Sequence, residues 1–285
     1  MSVLKETMDA MDEPSNPKLA SRERLLGEFR KQLVHEKRKV VAIQIGVLIL
    51  AILLWELLIR LGVVRELIIG QPSKVVSFLV SMTLDGSLLQ HSWITIVETV
   101  VGFVLGFILG GVLGLLLWWS KTVERVLDPL MVALNSLPKI ALTPIFLLWF
   151  GIGISMKLAL SFSTVFLVTF LTAAASLTGT DKELMQLTAA LGGSRWQVFR
   201  YVVVPSSLPW LISAMKLSIG FGLTGAVVGE FVAANKGIGF LLLYGAQIYE
   251  MSLVWAGVVV LLVVAMLMYA SVALIERRVL RWRES

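Results

Sequence analysis

Apolar residues fall in long blocks separated by shorter polar stretches, and the block lengths predict the fold class. A spanning helix needs about 20 mostly apolar residues to cross about 30 Å of hydrocarbon. Six blocks meet that measure, at about 40–59, 94–119, 127–150, 156–178, 206–232 and 253–275. The pattern therefore predicts an all-α, polytopic membrane protein with six transmembrane helices. The first and last blocks run without interruption. The third carries Pro138 and Pro144, and proline removes a helical hydrogen bond and kinks the chain. Two readings follow for it: a packing kink, or a helix broken beside a translocation path, where a cavity or neighbours re-satisfy the backbone.

Between the blocks, residues 72–83 (PSKVVSFLVSMT) predict a short helix opened by Pro72. Residues 233–252 are too short and too interrupted by glycine to span. They fit a half-helix capping the path, or a hairpin. Residues 1–39 form an arm: 1–17, with Pro14 and Pro17, predict disorder. From about Leu19 to Lys39, Leu26, Phe29 and Leu33 keep helical spacing among many charges, as an amphipathic helix on a membrane surface or a partner would. The membrane domain then covers 40–279, and residues 280–285 are a basic tail.

Small residues mark the faces that approach other helices. Gly102, Gly106, Gly110 and Gly114 recur every fourth residue, one smooth stripe that lets another backbone come close. Ser213, Ala214, Ser218, Gly220, Gly222, Gly225 and Gly229 place the fifth block in the interior of the bundle.

Charge changes the picture by fixing an orientation. Only 15% of the 285 residues are charged and 57% are hydrophobic, against about 25% and about half in soluble domains. With both termini cytoplasmic, the inside segments hold eighteen Lys and Arg: nine before Val40, Lys121, Arg125, Lys182, Arg195, Arg200, and Arg277, Arg278, Arg281 and Arg283. The outside segments hold four, Arg65, Lys74, Lys157 and Lys236. Cytoplasmic loops carry the excess of Lys and Arg. The net charge of +6 thus reads as a topology signal, with no nucleic-acid partner. The polar first 39 residues lack the early apolar run of a signal peptide.

Candidate chemistry is sparse. There is no cysteine, which excludes disulfides and thiolate sites. His35 and His91 lie far apart in polar stretches and read as solvated, and no metal site is predicted. No Gly-x-x-x-x-Gly-Lys-Ser/Thr run occurs, so no catalytic residue or ATP site is expected on this chain. Charges in or near spans face protein or water. Glu56, Lys139 and Glu230 are expected near the outer interface, whereas Lys216, about ten residues into the fifth block, falls near mid-bilayer. Lys216 reads either as half of an ion pair, with Glu98 as candidate partner, or as a cation in an anion path. Asn135, Ser136, Thr143, Ser161, Ser163, Thr164 and Thr169 are uncharged path candidates.

The most informative polar stretch is Asp181–Pro209, DKELMQLTAALGGSRWQVFRYVVVPSSLP. Leu184, Leu187 and Leu191, then Trp196, Phe199 and Val203, repeat at three to four residues on either side of Gly192-Gly193. The spacing predicts two short amphipathic helices joined at a glycine elbow. A solvated loop would carry fewer apolar residues, so the stretch reads as a docking surface.

These residues carry a family resemblance. LGGSRWQVFRYVVVPSSLPWL resembles the cytoplasmic loop of permeases in binding-protein-dependent ABC importers. That family's pattern is Glu-Ala-Ala, three residues, then Gly. With its Gly on Gly192, the first three positions are Gln186, Leu187 and Thr188, so this chain departs at all three. The Leu-Gly-x-Ser core, the Trp-x-x-Phe spacing and Pro205-x-x-x-Pro209 remain. LDPLMVALNSLPKIALTPIFLLWFGIG, WELLIRLG, VVGEF and IERRVLRWR are similar to segments of the sulfonate, taurine and nitrate group.

The resemblance implies a type I ABC importer permease (MetI-like) fold in the bacterial inner membrane, moving a small solute by alternating access. It implies two ABC ATPase subunits that bind the ATP, a periplasmic or lipid-anchored substrate-binding protein, and a second permease copy in a homodimer. The chain itself would hold no cofactor. The loop, residues 181–204, becomes a coupling helix, with Gln186, Leu187, Thr188, Leu191, Gly192, Gly193, Ser194, Trp196 and Phe199 on the ATPase. Sulfonate, taurine or nitrate is the implied substrate, with a pyrimidine- or riboflavin-type vitamin precursor as alternative. An ion-gradient transporter and a non-transporting assembly protein are the rival readings. Small size, few buried carboxylates and no inverted repeat weigh against the first.

Overall fold

The computed structural model describes residues 17–279. The expected disorder of 1–16, the basic tail 280–285 and the side chains of Leu26, Phe29 and Leu33 lie outside the described residues. Contacts divide the chain at Val63, and the part before that point is described by itself. It is one helix, α1 (Pro17–Arg60), continuous from the polar arm into the first apolar block. Near its end Arg60 Nε lies 2.8 Å from Glu56 Oε1, one helical turn away.

The second unit is all-helical among the described residues. A short α2 (Glu66–Ile69) and α3 (Pro72–Leu84) precede the bundle, with Pro72 in the first turn of α3 as the sequence predicts. Then come α4 (Ser87–Leu116), α5 (Lys121–Ser136), α6 (Thr143–Phe150) and α7 (Ile154–Thr178). The chain continues through α8 (Lys182–Ala190), α9 (Arg195–Val198), α10 (Val204–Ala233), α11 (Ile238–Gln247) and α12 (Met251–Val279). Among the described residues five helices are long and apolar enough to span, one of them the apolar part of α1. The third block supplies a sixth crossing only as a pair, α5 and α6, bent by 94° across Leu137-Pro138 and a 3-10 turn at Lys139–Leu142. The block is therefore broken, not merely kinked. Pro138 has no N–H to give, and the residue before it leaves the helical region, with Leu137 at ψ 134°.

The core is a three-helix stack with α7 in the middle. Its first neighbour is α4, whose glycine stripe presses on the α7 backbone. A Cβ on Gly106 would lie 2.8 Å from the Phe162 carbonyl oxygen, on Gly110 2.6 Å from that of Phe166, and on Gly114 2.6 Å from that of Phe170. Its second neighbour is α10, where a Cβ on Gly225 would stand 2.7 Å from Ser161 Cα and one on Gly229 2.9 Å from Lys157 Cγ. Lipid is as apolar as leucine, so helices associate there by close packing, and both stripes serve that. Thr169 and Ser218 join α7 to α10 at 3.2 Å between hydroxyls.

Two smaller pieces close the end of the bundle where α10 finishes. Ile238 and Leu241 of α11 are buried against Leu88, Leu253 and Val260. Segment 66–71 is pinned to the start of α12: Trp255 Nε1 donates to the Ile69 carbonyl at 2.7 Å, and Gln71 N donates to Ser252 Oγ at 3.1 Å.

Candidate functional site

At the opposite end of the bundle, the chain between α7 and α10 folds as an elbow fixed at every corner. Asp181 caps α8, its carboxylate accepting from the amides of Glu183 (2.8 Å) and Leu184 (3.3 Å). The helix ends with Gly193 N donating to the Thr188 carbonyl and Gly192 N to that of Ala189, both at 3.0 Å. This is a Schellman stop, which needs a left-handed residue, and Gly192 supplies it with φ +83°. The second glycine has a separate reason: a Cβ on Gly193 would sit 2.6 Å from the Thr188 oxygen. Ser194 and Gln197 then form a reciprocal capping box at the start of α9.

The two apolar stripes of the elbow have different destinations. Leu184, Leu187 and Leu191 share one face of α8 and all stand exposed, Leu191 by 80%. Gln186 beside them is exposed and Thr188 is half-buried, its hydroxyl donating to the Leu184 carbonyl at 2.8 Å. In the second stripe Phe199 and Val203 turn inward, so Phe199 is not available to the docking surface on which it was expected. Phe199 is only 8% exposed and joins Phe170, Ala173, Leu177 and Val203 in the core. Trp196 is half exposed and stacks on Trp119, ring centres 6.2 Å apart. Trp118 and Trp119 follow α4 in a 3-10 turn, each within 6 Å of the Phe199 ring, and the Arg195 guanidinium lies 5.7 and 5.9 Å from their ring centres. A cation over indole is an attractive contact. The aromatic cluster therefore binds the elbow to α4 as well as to its own flanking helices.

A π turn at Phe199–Val203 joins α9 to α10, making one helical run from Arg195 to Ala233. The elbow's second limb is thus the beginning of the fifth span.

The charged residues pair differently from the sequence reading. Lys216 on α10 meets Glu276 on α12 at 2.6 Å and not Glu98. Glu98 instead pairs with Lys157 at the start of α7, a residue expected in an outside loop and found 6% exposed. Glu230, expected at an interface, is fully buried. Its carboxylate accepts from Thr95 Oγ1 (2.6 Å) and from the Gly239 amide at the start of α11, while Thr95 Oγ1 accepts from the Ile238 amide at 2.8 Å. His91, read as solvated, is half-buried, and its Nδ1 accepts from the Gly237 amide at 2.9 Å. These residues fix α11 against α4 and α10. The available signal was Thr95, Glu98 and Glu230 lying inside apolar blocks, but helical periodicity does not say which helix supplies a partner.

The path candidates do not meet in one place within the chain. Asn135 and Ser136 end α5, and Lys139 folds back to donate to Asn135, with Nζ 3.1 Å from its Oδ1. Thr143 is buried at the start of α6. Thr164 is buried in α7 with its hydroxyl among backbone carbonyls, including that of Phe221 at 3.2 Å, and Ser163 donates to the Leu160 carbonyl at 3.0 Å. Among the described residues no cluster of metal-ligating side chains occurs.

Comparison with known proteins agrees with this architecture. Residues 102–281 match the family described as the binding-protein-dependent transport system inner membrane component. A putative aliphatic sulfonates transport permease protein of Bacillus subtilis is 31% identical, over 84% of this chain and 88% of its own length. A riboflavin transport system permease protein of Chloroflexus aurantiacus is 30% identical, over 84% and 89%. A taurine transport system permease protein of Escherichia coli is 26% identical, over 85% and 90%. Among solved structures, a chain of the inward-facing MetNI methionine ABC transporter superposes with TM-score 0.63 at 21% identity, over 70% of this chain and 99% of that one.

Proposed function

The chain belongs to the family of binding-protein-dependent transport system inner membrane components, and from that membership we propose that its elbow 181–203 couples a separate ATPase subunit to the spans. The relatives are permeases, a role in which the chain moves solute and performs no chemistry on it. Two copies of the chain would form the path, with two ATPase subunits on the elbow side, the cytoplasmic side by the charge asymmetry.

The observation supporting this reading is the leucine face of α8 on a rigid mount. Leu184, Leu187 and Leu191 are exposed, yet both ends of the elbow are capped by hydrogen bonds and its second limb runs into α10. An exposed apolar face on a rigid element suits a groove in a partner. It would pass the partner's movement to α7, α10 and, through Trp118 and Trp119, α4 as a rigid-body displacement.

For the solute, we propose a small sulfonated organic anion. Support comes from the names of the Bacillus subtilis and Escherichia coli relatives and from Lys139, a cation beside the break between α5 and α6. Lys216, neutralised by Glu276, lends no support to an anion path. A vitamin precursor is the second reading, favoured by the riboflavin relative. The deciding experiment is uptake into vesicles bearing the chain, its ATPase and its cognate binding protein. ATP-driven accumulation of taurine or an alkanesulfonate supports the first reading, and riboflavin or pyrimidine uptake alone supports the second. Uptake without ATP would refute the coupling itself.

A further inference from the structure

Glu98 lies one helical turn from Thr95 on α4, and Thr95 in turn holds Glu230 of α10; the two carboxyl groups are 1% and 0% exposed, with Lys157 of α7 on Glu98. The cluster thus holds two carboxyl groups and one ammonium group. Among the described residues no further cation lies within it. Lys236 is exposed on the turn before α11, His91 is engaged as an acceptor by Gly237, and the one titratable side chain of α11, Tyr244, is exposed. α6, packed beside α7, carries no titratable side chain. With both carboxyls ionised, a net negative charge would be buried, which is costly without a compensating partner.

Hydrogen bonding locates what is missing. Both Glu230 oxygens accept protein donors, from Thr95 and Gly239. Glu98 Oε1 accepts from Lys157, whereas Glu98 Oε2 is buried and has no donor. A Cβ on Gly229 would strike Lys157, and one on Gly237 or Gly239 would strike the Glu230 carboxyl, so glycine backbone lines the cluster in contact.

We propose that the Glu98–Glu230 pair is a proton-binding site: one proton is held between Glu98 Oε2 and the Glu230 carboxyl. The proton neutralises the cluster, fills the vacant hydrogen-bond position, and makes α4, α7, α10 and the start of α11 one neutral polar joint. Two carboxyls in one low-dielectric site retain a proton for the same electrostatic reason in other proteins. This inference is independent of the elbow and of the solute.

Infrared spectroscopy on the assembled transporter tests it. The carbonyl stretch of a protonated carboxylic acid is separate from that of a carboxylate and shifts in heavy water. At pH 6 the wild type should show a protonated-acid band that is lost in Glu98→Gln and in Glu230→Gln but kept in Glu276→Gln. The side-chain amide introduced by Glu98→Gln can donate toward Glu230 and accept from Lys157, so this variant should also fold and keep wild-type uptake. Coincident wild-type and Glu98→Gln spectra would overturn the proposal. So would failure of Glu98→Gln to assemble where Glu276→Gln does, since a neutral donor at that position would then not suffice.

Discussion

Lys216 and Glu276 bridge α10 and α12 with 2.6 Å between Nζ and Oε2, each about a quarter exposed. Lys216→Met leaves Glu276 without its partner on α10, whereas Lys216→Met with Glu276→Gln removes both charges together. The single variant should lower the thermal stability of the purified complex. The double variant should recover most of it, and uptake per assembled complex should stay near wild type in both. A collapse of uptake with full stability would instead make Lys216 part of the path.

The glycines of α4 and α10 should divide into costly and harmless positions. Gly110→Val places a side chain against the Phe166 carbonyl and Thr169, and overpacking of this kind costs about 1–3 kcal/mol or more. Gly220 has open space around its Cβ position, so Gly220→Ala should be neutral or stabilising by up to about 1 kcal/mol through helix propensity. Melting temperatures of the two variants in one detergent make the comparison.

At the elbow, Gly192 has positive φ and nothing near its Cβ position. The cost of Gly192→Val is therefore backbone strain, about 1–2 kcal/mol, without a clash inside the chain. Membrane insertion should be kept while ATPase co-purification or the link between hydrolysis and uptake weakens. Gly192→Asn, which tolerates the left-handed region, should be milder. If Gly192→Val leaves association, stimulated hydrolysis and uptake at wild-type levels, the elbow is not the coupling element.

Orientation can be checked on a chain with no native cysteine. Ala20→Cys, Gly193→Cys and Glu284→Cys should resist an impermeant thiol reagent added to intact cells, and Val80→Cys and Lys236→Cys should react. The opposite pattern would invert the topology.

Block length and glycine spacing make the all-helical bundle legible, because one-dimensional periodicity records which face of a helix is smooth. The elbow is legible for a related reason, as caps and a helix stop are local chemistry: Asp181, Gly192 and Ser194 act on amides within six residues of themselves. The charge pairs are not. Lys157 reads as a loop residue because it begins a span, and Lys216 matches Glu98 in the sequence although its partner stands on α12. Such pairings depend on the rotation and depth of separate helices, which no spacing within one helix records. The inward turn of Phe199 is hidden for a similar reason. Its stripe resembles that of Leu184, Leu187 and Leu191, and only the packing of α9 against Trp118 and Trp119 separates them.

The π turn at Phe199–Val203 sets an angular phase between two working surfaces. A π turn accommodates a surplus residue, and each residue corresponds to about 100° of rotation around a helix. The elbow and the glycine-bearing face of α10 therefore keep their mutual bearing only while that surplus residue is present. Removing it would let the run from Arg195 to Ala233 relax into an ordinary α-helix without losing its length across the membrane. The elbow would then be swung around the span's axis like a crank keyed to the wrong slot, with Trp196 carried off Trp119 and the leucine face aimed elsewhere.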